Sequence, residues 1–250
     1  MRHGAKVGDE RAAYERTAYD GTAYDGTAYE VLWHDVRRTL HAWRAPDAGQ
    51  ESRRRAFLRH LSLGPDALHR GGQREHVTAS ALVLSADGRH ALLTLHRKAA
   101  MWLQLGGHLE RGDRTAAAAA EREAREESGR PELQVAPDLV DLDRHELPVS
   151  FGRCAAHLDL RYVAVTQNTH GPGSHPGTVP MTALTAGLPL ETGSLDLRWW
   201  PVDALPSRHP ADLPRLIAAA LRSLRQSSSR ESSGSSGSIC SEAVAATPSR

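Results

Sequence analysis

The chain has 250 residues, with 31 Lys+Arg against 30 Asp+Glu and a net charge of +1. That length suits one domain of moderate size with appendages, and the balanced charge argues against a strongly basic nucleic-acid binder. No apolar run approaches the ~18 residues of a membrane-spanning helix. Met1–Glu15 lacks the apolar core of a secretory signal, and Cys154 and Cys240 form neither a disulfide framework nor a zinc-finger spacing, so a soluble cytoplasmic protein is expected.

Residues 1–29 read as a disordered tail carrying the tandem repeat TAYDG, TAYDG, TAYE, whose unit is too short for a solenoid. Residues 30–70 form a helical N-terminal segment: Val31, Leu32, Val36, Leu40 and Trp43 recur at helical spacing before Ala45-Pro46. A second helix is expected from Glu51 to about Leu63, stopped by Gly64-Pro65. The main domain is expected over 71–226. Val77–Ser85 and Arg89–His96 read as strands around an Asp87-Gly88 hairpin. Further strands are expected within Leu133–Leu142, over Ala156–Thr166 and over Leu195–Val202, with a loop at Gly171–Gly177 and an amphipathic helix over Ala211–Arg225. The Ser/Gly-rich stretch 227–250 is expected to be disordered.

Gly106–Gly129, GGHLERGDRTAAAAAEREAREESG, carries the chemistry. Asp113 or Thr115 can cap a helix, five alanines favour it, and Gly129 with Pro131 ends it, predicting a helix over about 115–128. On that helix Glu123 and Glu127 lie about 40° apart, with Glu126 about 60° to the other side of Glu123. Three carboxylates so placed repel one another. A hard divalent cation would remove the conflict, and Mg²⁺ prefers such oxygens while bridging to substrate phosphates. Without an ion the same pattern describes a solvated face offset by Arg122 and Arg125.

The segment resembles the Nudix box, G-x5-E-x7-R-E-U-x-E-E-x-G-U, where U is aliphatic. Gly107, Arg122, Glu123, Ala124, Glu126, Glu127 and Gly129 fit in order. Asp113 stands for the first Glu, one residue is inserted before Arg122, and Arg130 takes the last aliphatic place. The lead-in WLQLGGHLE and the strand Leu197-Arg198-Trp199-Trp200 extend the resemblance over about 75–206.

The resemblance implies an α/β (α+β) fold, an α/β/α sandwich around a mixed sheet, preceded here by the helical segment. It implies a Mg²⁺-dependent hydrolase, with Mn²⁺ as the alternative ion, cleaving a pyrophosphate linkage in a nucleoside diphosphate-X substrate. The composition gives no reason to expect a membrane or nucleic-acid partner, and a homodimer is left open. Gly107, Glu123, Glu126 and Glu127 become the metal ligands and Glu123, Glu126 and Arg122 the catalytic residues. Arg97 is a candidate phosphate contact and Trp102 a candidate base-stacking residue. Glu146 and Asp159 are further candidates for the general base. His76, His96, His108 and His157 read as structural or cleft-lining, and Cys154 as a plain thiol. The isomerase branch of the fold lacks its catalytic Cys motif here. A non-catalytic nucleotide sensor is the alternative function, although such proteins often lose box carboxylates.

Overall fold

The computed structural model describes residues 26–166 and 194–234. Helices α1 (Gly26–Ala42) and α2 (Ala48–His60) precede strands β1 (Glu75–Leu84), β2 (His90–His96), β3 (Met101–Leu103) and β4 (Leu105–His108). Helix α3 (Ala116–Ser128), strands β5 (Asp141–Glu146), β6 (Ala156–Val165) and β7 (Ser194–Pro201), and helix α4 (Leu213–Gly234) complete the described chain.

Strand β1 pairs in parallel with β6 and antiparallel with β2 and β4. Strand β5 extends the sheet beyond β6, while β3 and β7 pair with β2. The result is a mixed seven-stranded sheet. Because side chains alternate between faces, Val77, Ala79, Ala81 and Val83 pack with Leu158, Leu160 and Tyr162 into the core shared with α1, α2 and α3. Leu82, Leu84 and Val163 face the other way, onto Leu213, Leu216, Ile217 and Ala220 of α4. The sheet lies between two helical layers, as the α/β/α expectation required.

The first two helices are built into this body. Leu32, Val36 and Leu40, four residues apart, are fully buried. Gln50 of α2 donates to Asp141 Oδ1 (2.9 Å) and to the Leu142 carbonyl (3.1 Å) and accepts from the Leu142 N–H (3.0 Å). Its amide substitutes for a neighbouring strand at the edge of β5 and satisfies backbone groups that burial would otherwise leave unpaired.

Three expectations shift. Helix α1 starts at Gly26, inside the repeat, because Tyr29 buries its ring to 5% exposure beside His69. The strand expected within 133–142 lies at Asp141–Glu146, leaving Val135 only an isolated bridge to Ala164. Leu142 alone of this strand reaches the apolar core, while Asp141 and Asp143 are buried on the other face by ion pairing to Arg161 and Arg215, so an apolar pattern did not reveal it. Helix α4 runs on to Gly234, where Ser227, Ser228 and Ser229 donate to the carbonyls of Ser223, Leu224 and Arg225. The rest of both expected tails and the Gly171–Gly177 loop lie outside the described residues.

Candidate active site

The box folds as strand β4, a loop and helix α3. Thr115 caps the helix by accepting from the Ala118 N–H (3.0 Å), and Gly129 closes it in the left-handed conformation (φ 65°). A second acceptor comes from a distant part of the chain: Asp35 of α1 takes the Ala116 N–H at 3.0 Å. A carboxylate there also complements the positive end of the helix dipole. Nothing local to the box predicts Asp35, which reaches it only through the docking of α1.

Arg122 is the hub. Its Nε and Nη2 each lie 3.1 Å from an oxygen of Asp113, making a bidentate pair. Nη2 also donates to the His108 carbonyl (2.9 Å), and Nη1 to Glu123 (3.0 Å) and Glu126 (3.1 Å). The inserted residue is therefore absorbed in the loop, and Asp113 still reaches the arginine. Although burial alone would depress it, the guanidinium is held firmly charged by Asp113 and Glu123.

The two glycines before the helix make room for the glutamates. A Cβ on Gly107 would stand 2.7 Å from the Glu123 carboxylate. Gly106 donates its N–H to Glu127 Oε2 at 3.0 Å. Burial pushes the Glu123 carboxyl up to about 7 against the opposing pull of Arg122. It pushes Glu127 up to about 8, opposed by the Gly106 N–H and reinforced by Glu123 and Glu126. Glu126 stays half exposed. Two buried acids disfavouring charge, a third beside them and a glycine leaving space form a donor set of hard oxygens that fits a divalent cation.

The remaining candidates lie apart. Arg97 is exposed in the turn after β2. Trp102, 9% exposed, packs edge-to-face on Trp200 (5.3 Å between ring centroids), which limits stacking on a ligand to its rim. Among the described contacts, none joins either residue to the carboxylates. Asp159 projects from the opposite face of the sheet and is committed to Thr78 (3.0 Å), Ser80 (2.7 Å) and Arg161 (3.1 Å). Glu146 ends β5 with its side chain 84% exposed.

The raised carboxyls make a stability prediction. A group whose folded pKa lies above its unfolded value favours the fold below the unfolded value, and that contribution is lost as pH rises through the folded one. For Glu123 and Glu127 the loss extends from about 4.5 through about 7 and 8. Between pH 6 and 9 the metal-free chain is expected to lose on the order of 5 °C in Tm relative to a Glu127→Gln variant. Mg²⁺ is expected to restore the loss most strongly at the alkaline end. Differential scanning fluorimetry checks this, and parallel Tm curves for the two proteins would contradict it.

The sequence model described as the NUDIX domain matches residues 74–220. No curated protein matches the chain. Among solved structures, the chain is similar to a C. elegans Ap4A hydrolase binary complex at 15% identity and TM-score 0.44, covering 60% of this chain and 98% of that one. It is similar to a MutT NUDIX hydrolase from Burkholderia pseudomallei at 18% identity and TM-score 0.40, covering 59% and 98%. The NUDIX domain of Shewanella oneidensis NrtR, complexed with ADP ribose, matches at 14% identity and TM-score 0.40, covering 62% and 92%.

Proposed function

The chain belongs to the NUDIX domain family and is a hydrolase of acid anhydrides in phosphorus-containing substrates; from that premise we propose that it is Mg²⁺-dependent and cleaves the pyrophosphate linkage of a nucleoside diphosphate joined to a further group. The observation that carries this reading is the packing of Glu123 against Gly107, with Glu127 on the Gly106 N–H and Glu126 on Arg122.

Glu123, Glu126, Glu127 and the Gly107 carbonyl would hold Mg²⁺, or Mn²⁺ in its place. When bound, the ion neutralises phosphoryl oxygens and acidifies a water. Arg122 keeps Glu123 and Glu126 in place through its fork and is itself fixed by Asp113. Glu126, the most exposed of the three, is our choice to accept the proton of the attacking water, with Glu123, near 7, as the alternative base. Arg97 is assigned to an outer phosphate.

The test is incubation of the purified chain with Mg²⁺ and a panel of nucleoside triphosphates, dinucleoside polyphosphates, ADP-ribose and nucleotide sugars, with products separated by chromatography. Turnover that stops with chelator is expected, and the product pair identifies the bond cut. Tight nucleotide binding without turnover would replace this reading with a nucleotide sensor.

A further inference from the structure

On the face of the sheet opposite the core shared with α3, three histidines from three strands converge. His76 lies on β1, His108 on β4 and His157 on β6, where the parallel register sets His157 beside His76. The ring centroids are 5.1, 5.0 and 5.2 Å apart. Cys154, a free and partly exposed thiol just before β6, completes the group. One potential ligand atom from each of the four residues lies within 4.8 Å of all the others.

The Nε2 atoms of His76, His108 and His157 are all buried without a hydrogen-bond partner. Buried polar atoms are nearly always satisfied, so three orphans facing one another require an explanation. His76 Nδ1 lies 3.3 Å from the Gln73 carbonyl. A proton on Nδ1 leaves the Nε2 lone pair free, as in histidine ligands oriented by a backbone carbonyl.

We propose that His76, His108, His157 and Cys154 form a closed tetrahedral site for Zn²⁺, separate from the carboxylates of the box. Three imidazoles and a thiolate match the borderline-soft ion and its coordination number, whereas Mg²⁺ prefers oxygen. Bonds of 2.0–2.3 Å put ligand atoms roughly 3.3–3.8 Å apart, so closure needs movements on the order of 1 Å. Binding displaces the thiol proton of Cys154 to solvent. With all four positions taken by protein, the ion is structural. It ties β1, β4 and the entry to β6 together, and His108 adjoins Gly107, so the pin steadies the strand that faces Glu123.

Cobalt(II) substitution tests the site on the full chain, stripped with chelator and titrated with Co²⁺ alone, with Zn²⁺ competition and metal analysis for stoichiometry. One tightly bound ion per chain, displaced by Zn²⁺, is expected to show tetrahedral d–d bands and a thiolate-to-cobalt charge-transfer band, beside a weaker ion on the box carboxylates that shows neither. Cys154→Ser should abolish the charge-transfer band and weaken binding at least tenfold, while Cys240→Ser and Glu127→Gln leave both unchanged. His157→Ala should weaken binding further. If that variant does not fold, Cys154→Ser, altered at a partly exposed position, still decides the question. Absence of saturable binding, a charge-transfer band that survives Cys154→Ser, or binding lost in Glu127→Gln would overturn the assignment.

Discussion

Glu127→Gln is expected to lower kcat/KM for the chain's pyrophosphate substrate by about 10³-fold or more, equivalent to about 4 kcal/mol of transition-state stabilisation, without lowering Tm. The two outcomes have one cause. Glu127 is 9% exposed, and its carboxyl is pushed up to about 8 by burial and by neighbouring acids. An ionised carboxylate there costs the fold stability, and its position is useful for holding a cation that offsets the charge. Glutamine retains the carbonyl that accepts the Gly106 N–H, so the local hydrogen bond survives. It removes the charge, and with it the repulsion from Glu123 and Glu126. A substitution that stabilises the empty fold while disabling it is the signature of a strained functional group. Steady-state kinetics and thermal melts on the same preparations check this. Turnover within tenfold of wild type would remove Glu127 from the machinery.

Gly107→Ala and Gly106→Ala, one residue apart, are expected to fail in different ways. The nearest atoms to a Cβ introduced at Gly107 are those of the Glu123 carboxylate, at 2.7 Å. That is the free end of a flexible side chain and can swing away. The fold should therefore keep its Tm to within a few degrees while activity falls about 10²-fold, as expected when a reacting group is displaced by about 1 Å. The Cβ introduced at Gly106 would lie 2.5 Å from the Ser80 Cα and 2.7 Å from the Ala79 carbonyl oxygen. These are backbone atoms of β1, the strand paired with β4, and they cannot move without breaking that pairing. A loss of about 3 kcal/mol or more is expected, lowering Tm by on the order of 10 °C. Circular-dichroism melts and initial rates separate the two cases. A Gly107→Ala protein that is fully active would show that Glu123 needs no space there.

Much of the site could be read because its determinants are local. The cap at Thr115, the alanine run, the stop at Gly129 and the shared face of Glu123, Glu126 and Glu127 all depend on neighbours within about four residues, where helical geometry dictates who meets whom. The Asp87-Gly88 hairpin is legible for the same reason, with Gly88 at φ 69° and Asp87 accepting the Arg89 N–H. The position of β5 was not legible. It sends only Leu142 into the apolar core; Asp141 and Asp143 are buried on its other face, and a buried carboxylate in sequence looks like an exposed one until its arginine is known.

The sequence by itself determined the box helix, its row of carboxylates and the family to which they belong, because short-range geometry follows from residue order alone. Only the tertiary structure decided that Asp35 caps that helix from another element, that Asp113 reaches Arg122 across the inserted residue, and that His76, His108, Cys154 and His157 share one cluster. Those encounters depend on strand register and helix docking. Register and docking are set by the collective burial of the two cores on either side of the sheet, and no local stretch of sequence contains that information.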